Sequence, residues 1–300
     1  MKIGYVTLLA NYARPNSAPS YAEIRELTQQ AEEAGFDSVW LYDHFLYRYP
    51  NQPEIGIWES WTMLAALAEA TRRVEVGTLV SCTAFRNPAL LAKMATNVDE
   101  ISGSRFVLGL GAGWNRAEFE AFGVPLGHRV ARFEEALQII VPLLREGHVD
   151  FRGKYYQAVH CTINPRGPRT GGPPLLIGAK RPRMLGLTAR YGDLWNIAYV
   201  ASPAELADAR ANLATACEAI GRCPASLQIT ATAYVRHPDL EPIPSGVHGF
   251  LSGTTEQVAA SLKAFSDAGV SHLMCHCIPN TPVALARVAA AVRLFREISN

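Results

Sequence analysis

The sequence predicts an α/β fold, a (β/α)8 TIM barrel with an insertion after strand 4. Short β-branched or apolar runs alternate with longer amphipathic stretches, which is the pattern of repeated βα units and a parallel sheet. Eight such units follow one another without a break in composition, and eight fit a closed ring better than the alternative, an open doubly wound sheet. The 300 residues accommodate a barrel, which commonly takes about 250. We therefore predict a single domain over residues 1–300.

Local signals define the first four units. Ser20 predicts the N-cap of the first helix, with Glu23 completing a capping box and Gly35 ending the helix. The run from Val74 is almost continuously apolar, as expected for a strand buried on both faces, and Pro88 fits the first turn of a helix. The predicted strands are Ile3–Leu8, Ser38–Tyr42, Val74–Ser81 and Arg105–Leu110, and the predicted helices run from Ser20 to Ala34, over Trp58–Thr71 and over Pro88–Ile101.

The connection after strand 4 is the insertion. We predict in it a short helix near Arg116–Phe122, a helix over Val130–Arg145 and a hairpin formed by Val149–Tyr156 and Val159–Ile163. The next segment, Asn164–Pro174, has four prolines and three glycines and is predicted to be irregular. Long loops of this kind usually form functional lids.

The βα rhythm resumes after the insertion. The predicted strands are Leu175–Gly178, Leu194–Ala198, Leu227–Val235 and His272–His276, and the predicted helices are Pro182–Tyr191, Pro203–Ile220, Thr255–Ala268 and Val283–Ile298. A Pro-rich loop, His237–Gly249, follows the seventh strand.

Composition and charge argue against several classes of protein. With 28 basic and 27 acidic residues the net charge is +1, which provides no global field for nucleic acid or an anionic membrane. No stretch reaches the roughly 18 apolar residues of a membrane helix, and the N-terminal MKIGYVTLL does not resemble a secretory signal. We expect a cytoplasmic protein that binds a small-molecule substrate, with no nucleic acid and no membrane partner.

The cysteines are predicted to be structural. None of the six forms a CxxC pair, and their density is far below that of a disulfide scaffold. Cys275-His276-Cys277 could suggest a metal, but along a strand the two thiols share one face and the histidine points to the other. We expect reduced core thiols and no metal site.

Candidate functional residues cluster at predicted strand ends. In a closed parallel barrel the active site lies at the C-terminal ends of the strands. Four clusters fall there: Asp43-His44, Val80–Thr83, Gly111–Trp114 and Gly178–Arg181. His44 is suited to exchanging a proton near neutral pH, and the alternative is a histidine that caps a helix or is hydrogen-bonded in the core. The coincidence of these clusters at strand ends is the main indication of an active site.

Two of the clusters indicate a bound ligand. The run Gly109–Gly113 differs from a dinucleotide fingerprint because its third glycine comes one residue early and it follows the fourth strand. Glycines without Cβ atoms let the backbone approach a flat ring, and close strand packing is the alternative. Gly178 leads into a helix with Pro182 near its first turn, where N–H groups attract an anion and Lys180 and Arg181 add charge. We expect a phosphate there; the alternative is a solvated basic loop.

Together these clusters resemble the luciferase-like monooxygenase superfamily, and in particular its F420-dependent oxidoreductase branch. The resemblance extends in order over nearly the whole chain. The matching stretches are Ala34–Trp40, Asp43-His44, Val76–Thr78, Arg86–Lys93, Leu108–Trp114, Arg132–Leu137, Pro174–Gly178, Ala189–Asn196 and Gly253–Val258. The resemblance implies coenzyme F420 as the cofactor, with FMN as the alternative, and a homodimer, since relatives are often dimers.

The resemblance also implies roles for the clusters. His44 would be the catalytic residue that handles a proton beside the reactive carbon of the deazaflavin. The third strand would end in a bulge with a non-prolyl cis peptide at Leu79–Val80, behind the ring, and the loop Gly178–Arg181 would bind the cofactor's phosphate. The residues implied at the cofactor are Asp43, Leu79, Val80, Ser81, Gly111, Ala112, Gly113, Trp114, Gly178, Ala179, Lys180 and Arg181.

Departures from the family pattern restrict the range of substrates that we expect. Sugar-phosphate dehydrogenases of this branch carry a glutamate where Trp114 stands and a tryptophan where Arg48 stands, so we do not expect glucose 6-phosphate. The predicted activity is hydride transfer between the deazaflavin C5 and a small organic substrate, with His44 exchanging the accompanying proton. The alternatives are an FMN-dependent luciferase-like monooxygenase and a non-catalytic flavin-binding barrel. Substrate choice is expected to depend on the insertion and the loop His237–Gly249.

Overall fold

The computed structural model describes residues 1–10, 18–241 and 249–299. Within these ranges eight parallel strands close into a ring, each pairing with the next in chain order and the eighth with the first. The strands are β1 (Lys2–Val6), β2 (Ser38–Leu41), β3 (Glu75–Thr78), β4 (Phe106–Gly111), β5 (Leu175–Gly178), β6 (Leu194–Ile197), β7 (Gln228–Arg236) and β8 (His272–Ile278). The predicted (β/α)8 barrel is confirmed.

A helix follows each strand of the ring. The helices are α1 (Tyr21–Glu33), α2 (Ser60–Ala70), α3 (Pro88–Ile101), α4 (Arg129–Arg145), α5 (Pro182–Tyr191), α6 (Ala207–Glu218), α7 (Thr255–Asp267) and α8 (Pro282–Ser299). Ser20 caps α1, and Glu23 completes the predicted capping box. Pro88 and Pro182 open their helices as predicted, because proline at the first helical position loses no hydrogen bond.

Trp40 fills the barrel interior between β1, β2 and β3. A Cβ atom at Gly4 would lie 2.7 Å from the indole Nε1, and one at Gly77 would lie 2.4 Å from the ring. The indole nitrogen donates to Ser38 Oγ at 2.7 Å, and that oxygen also lies 2.7 Å from His272 Nε2. Glycine is therefore required at both positions to admit the largest side chain of the core.

The insertion has the predicted parts. A short helix, Arg116–Ala121, precedes α4, and an antiparallel hairpin of His148–Arg152 and Gln157–Thr162 follows it. Their bounds differ from the predicted ones by one or a few residues, which is the ordinary fraying of element ends.

Two predicted elements are interrupted. The strand predicted over Val74–Ser81 ends at Thr78, and pairing with β4 resumes at Ser81–Cys82 after the cis peptide bond Leu79–Val80. The helix predicted over Pro203–Ile220 begins with a separate 3₁₀ turn, Pro203–Leu206, before α6.

Two small elements were not predicted. After β2 there is a hairpin whose two strands, Leu46–Tyr47 and Ile55–Gly56, have two residues each. A further short strand, Phe250–Ser252, pairs with β7. Residues 242–248 of the predicted loop His237–Gly249 lie outside the described residues.

Cys275 and Cys277 are core residues of β8. Both are fully buried, and burial raises the pKa of Cys275 to about 12. His276 between them faces the barrel interior, where its ring meets Tyr234. Among the residues that the structure describes, no group of three or more His, Cys, Asp or Glu side chains could hold a metal ion. In the same ranges no helix is long and apolar enough to cross a membrane.

Candidate active site

A cavity of about 1270 Å³ opens at the C-terminal ends of the barrel strands. The predicted site residues that line it come from four of those ends, of β2, β3, β4 and β5, or the loops after them. They are Asp43, His44, Leu79, Val80, Gly111, Gly113, Trp114, Gly178, Ala179 and Lys180. Ser81, Ala112 and Arg181 are not among the lining residues: Ser81 is fully buried and accepts a hydrogen bond from Trp61 Nε1, and Arg181 is the exposed N-cap of α5.

His44 is held in the cavity wall by Glu118. The imidazole Nδ1 lies 2.9 Å and 3.1 Å from the two carboxylate oxygens. Glu118 is 1% exposed, and its carboxylate also accepts hydrogen bonds from the backbone N–H groups of Phe45 and Leu46. Because Glu118 engages Nδ1, Nε2 is the nitrogen left for a partner in the cavity. A histidine oriented by a buried carboxylate is the arrangement that proton transfer requires.

Aromatic rings surround the imidazole on its other sides. Tyr47 lies 4.8 Å, Trp114 lies 5.5 Å and Tyr42 lies 6.1 Å from it, measured between ring centroids. Trp114 is 62% exposed and stacks with Tyr47. These rings restrict the motion of His44 and form an apolar rim at the mouth of the cavity.

Asp43 is bound on all sides by the protein. Its carboxylate is buried and accepts hydrogen bonds from two nitrogens of Arg86, at 2.7 and 3.1 Å. It also accepts from Ser60 Oγ at 2.8 Å and from the backbone N–H of Cys82 at 3.1 Å. Asp43 therefore ties the loop after β2 to the segment after β3, and its contact with a cofactor stays a prediction.

The glycines of β4 make room for the edge that follows β3. A Cβ atom at Gly109 would lie 1.8 Å from Thr78 O, and one at Gly111 would lie 2.6 Å from Val80 Cγ2. Gly113, at φ +75°, would meet Cys82 Sγ at 2.5 Å. Close packing, the alternative left open by the sequence, therefore involves all three glycines. Gly111 and Gly113 still line the cavity, so the glycine run also shapes it.

The loop after β5 joins the same edge to a helix N-terminus. A Cβ atom at Gly178 would lie 3.3 Å from Val80 Cγ2. Ala179 is fixed through both backbone groups, since its N–H donates to Asn196 O and its carbonyl accepts from Trp195 Nε1. Lys180 lines the cavity just before α5 begins. Backbone N–H groups at a helix N-terminus and a lysine attract anions, and phosphate binding at this loop stays a prediction.

The opposite wall of the cavity contains polar residues that the sequence reasoning missed. Tyr199 and Tyr234 stack with centroids 4.2 Å apart and planes 9° apart, and His276 lies 4.9 Å from Tyr234. Burial, and to a smaller extent the nearby Arg236, lowers the pKa of His276 to about 3, so this imidazole is neutral. Alternation along β7 and β8 was the signal that could have shown these side chains facing inward.

The fold and the site define a class of protein, a TIM barrel with a cofactor-sized cavity at its strand ends and a histidine–glutamate pair in the cavity wall. The non-prolyl cis peptide at Leu79–Val80, which the family resemblance predicted, is confirmed. A family model described as luciferase-like monooxygenase matches residues 1–241. The chain belongs to this family.

Curated relatives include enzymes with different chemistry. The 5,10-methylenetetrahydromethanopterin reductase of Archaeoglobus fulgidus is 34% identical over 173 residues, which cover 58% of this chain and 48% of that protein. Pyrimidine monooxygenase RutA of a Bradyrhizobium species is 34% identical over 200 residues, covering 64% and 54%. The chain thus spans about half the length of these relatives.

A solved structure matches nearly the whole chain. It is an F420-dependent secondary alcohol dehydrogenase in complex with an F420-acetone adduct, with a TM-score of 0.83 and 20% sequence identity, covering 98% of this chain and 99% of that one. At this identity the likeness establishes the fold.

Proposed function

We propose that the protein is an F420-dependent oxidoreductase that transfers hydride between the deazaflavin C5 and a small organic substrate. The observation that carries the proposal is the His44–Glu118 pair, which leaves Nε2 for a partner in the strand-end cavity. Relatives that reduce a substrate and relatives that oxygenate one share this family, so the cofactor has to be argued from the cavity and tested directly.

The cavity fits a flat tricyclic ring with a phosphate-bearing side chain. Its volume of about 1270 Å³ exceeds the roughly 300–1,000 Å³ of most small-molecule sites. Val80 lies against Gly111 and Gly178, so an unbroken edge runs from β3 to β5 behind the space for a ring. Lys180 and the N-terminus of α5 continue that edge and suit the phosphate.

The protein's part in the reaction is to orient groups and move one proton. A bound deazaflavin would supply or accept hydride at C5 and, having carbon in place of N5, would favour two-electron chemistry over oxygen activation. His44 Nε2 gives a proton to the substrate oxygen when the neighbouring carbon is reduced, and takes it back in the reverse direction. Glu118 keeps Nδ1 occupied, which fixes the ring orientation and stabilises the protonated imidazole.

Titration of the purified protein with F420 and, separately, with FMN tests the cofactor. We expect saturable binding of F420 and oxidation of reduced F420 in the presence of ketones, followed by its absorbance. Binding of FMN alone, with no response to F420, would exclude the proposal and favour the flavin-dependent monooxygenase.

A variant of His44 tests the proton role. Positioned acid–base groups contribute about 10²- to 10⁴-fold to rates, so His44→Ala should lower kcat by that range while the affinity for F420 changes little. His128→Ala is the matched control, because His128 lies outside the cavity, in the insertion against Tyr155. Undiminished turnover by His44→Ala would show that the assigned proton role is wrong.

A further inference from the structure

A cationic residue, Arg236, lies across the cavity from the edge formed by Leu79–Val80. In an eight-stranded ring β7 lies four strands from β3, so the end of β7 is opposite the Leu79–Val80 edge. Arg236 is the last residue of β7 and lines the cavity. Its Nε is buried and has no hydrogen-bond partner among the described residues. The guanidinium carbon lies 5.7 Å from the centroid of the Phe250 ring, a contact that gives Nε no hydrogen-bond acceptor. Because buried donors are almost always satisfied, the guanidinium favours a ligand.

Flat, uncharged side chains flank Arg236. Tyr234 is two residues earlier on the same face of β7 and stacks on Tyr199. His276 lies against Tyr234 from β8 and is neutral because burial lowers its pKa. The arrangement offers an aromatic surface and hydrogen-bonding groups around one positive charge.

The acids deep in the same cavity already have hydrogen-bonding partners. Asp43 is paired with Arg86, and Glu118 with His44. The remaining acids on the lining are exposed residues, namely Glu23, Glu26 and Glu241. Deep in the cavity, Arg236 therefore faces no unpaired carboxylate of the described residues that would compete with an anionic ligand.

We propose that Arg236, flanked by Tyr199 and Tyr234, binds an anionic group of the substrate. A ring backed by Leu79–Val80 would turn its other face toward β7 and β8, so a substrate would lie between that face and Arg236. The substrate class is then a carbonyl compound or alcohol whose reacting carbon lies near His44 and whose carboxylate or phosphate lies at the far end. The direction of the substrate rests on the proposed function; the anion subsite itself does not.

Binding of matched probes tests the subsite. The probes are 4-acetylbenzoate and 4-acetylphenyl phosphate, with neutral 4-acetylbenzamide as their counterpart, titrated calorimetrically into the protein with and without F420. We expect at least one anion to bind more tightly than the amide, and the comparison of the two anions identifies the preferred group. Hydrogen bonds to charged groups predict that Arg236→Gln weakens anion binding by roughly 10- to 100-fold and leaves the amide unchanged.

Two further variants separate charge from folding. Arg236→Lys keeps the charge and should retain part of the anion affinity, because lysine lacks the planar fork of arginine. Arg183→Gln is the control, since Arg183 is 59% exposed, pairs with Glu134 and does not line the cavity. Equal thermal midpoints for the variants show that the fold is retained.

The outcomes distinguish the subsite from the cofactor assignment. Arg236-dependent anion binding without any F420 binding would sustain the subsite and refute the proposed function. F420 turnover that depends on His44, together with no saturable binding of either anion, would sustain the proposed function and refute the subsite. The subsite is also overturned if the amide binds as tightly as the anions, or if Arg236→Gln weakens F420 binding instead of anion binding.

Discussion

A methyl group added to Gly111 should destabilise the barrel through one neighbour. The Cβ atom would lie 2.6 Å from Val80 Cγ2, and the next nearest atom, Val80 Cβ, would be 3.8 Å away. The collision is therefore with a single side chain, which can be shortened. A double-mutant cycle of Gly111→Ala and Val80→Ala therefore tests why β4 is rich in glycine.

The expected magnitudes follow from packing. Overpacking a tight contact costs about 1–3 kcal/mol, and Gly111→Ala should fall in that range. Val80→Ala removes two methyl groups from a half-buried side chain and should cost about 1–1.5 kcal/mol. In the double variant the new methyl occupies space that Val80 vacated, so the two changes should couple favourably by about 1–2 kcal/mol.

Thermal unfolding of the four proteins measures this coupling. For domains of this order of size, 1 kcal/mol corresponds to a shift in Tm of about 2–4 °C. Gly186→Ala is the matched control, because nothing lies within 4 Å of its Cβ position in α5. That substitution should raise the stability slightly, since glycine in a helix interior costs roughly 0.5–1 kcal/mol relative to alanine.

Additive effects of Gly111→Ala and Val80→Ala would refute the packing explanation. So would a Gly111→Ala protein of unchanged Tm that has lost affinity for F420, because that pattern means the glycine serves the approach of a ligand. The experiment thus decides between the two interpretations that the sequence left open for this cluster.

Two other expectations concern catalysis and acid stability. Glu118→Gln should lower kcat roughly tenfold, because a charge-assisted hydrogen bond to His44 becomes a neutral one of about half the strength. The control Asn115→Ala loses a hydrogen bond to the same loop at Leu46 O and should leave kcat unchanged. Equal losses of kcat in the two variants would contradict the role of Glu118 in orienting His44. His272 and His276 have pKa values lowered to about 3, in both cases chiefly by burial, so below the ordinary value of 6.5 the unfolded state takes up protons that the native state refuses. Stability should be full above pH 6.5 and fall by up to about 1.4 kcal/mol per pH unit for each histidine as the pH drops toward 3, and thermal midpoints independent of pH between 7.5 and 4.5 would be inconsistent with this.

Elements with a local cause were predictable from the sequence. The capping box of Ser20 and Glu23 satisfies N–H groups within one turn, and the prolines at 88 and 182 need no hydrogen-bond partner for their nitrogens. Each of these features therefore depends only on residues that are neighbours in the sequence. The strand Leu175–Gly178 matched its predicted bounds for a similar reason, because proline before it and glycine at its end delimit a short buried run.

Features that depend on distant contacts were not predictable in the same way. The apolar run from Val74 indicates a buried strand but not that its end leaves the sheet and returns at Ser81. Likewise, the glycines at 109 and 111 indicate that space is needed without saying what fills it. The filling side chain, Val80, is known only once β3 and β4 are aligned.

Long-range polar pairs were the hardest part of the site to predict. Glu118 is separated from His44 by 74 residues and lies on a short helix of the insertion, to which the sequence analysis assigned no functional residue. Arg236 ends an ordinary strand, and a lone arginine at a strand end carries no signal until the ring places it inside a cavity. These positions form a site only because the order of the eight strands brings them together around one cavity.

The exposed Trp114 shows why a departure from a family pattern need not remove a function. Sugar-phosphate dehydrogenases resembling this chain carry a glutamate at that position, yet a carboxylate still reaches His44 here, from Glu118 four residues further on. Position 114 is thereby released to an indole that stacks with Tyr47 at the cavity mouth. An aromatic rim suits the flat part of a substrate, whereas a glutamate would favour hydroxyl groups. We therefore predict that moving one carboxylate along the chain keeps a carboxylate partner for His44 and changes the substrates that the cavity accepts.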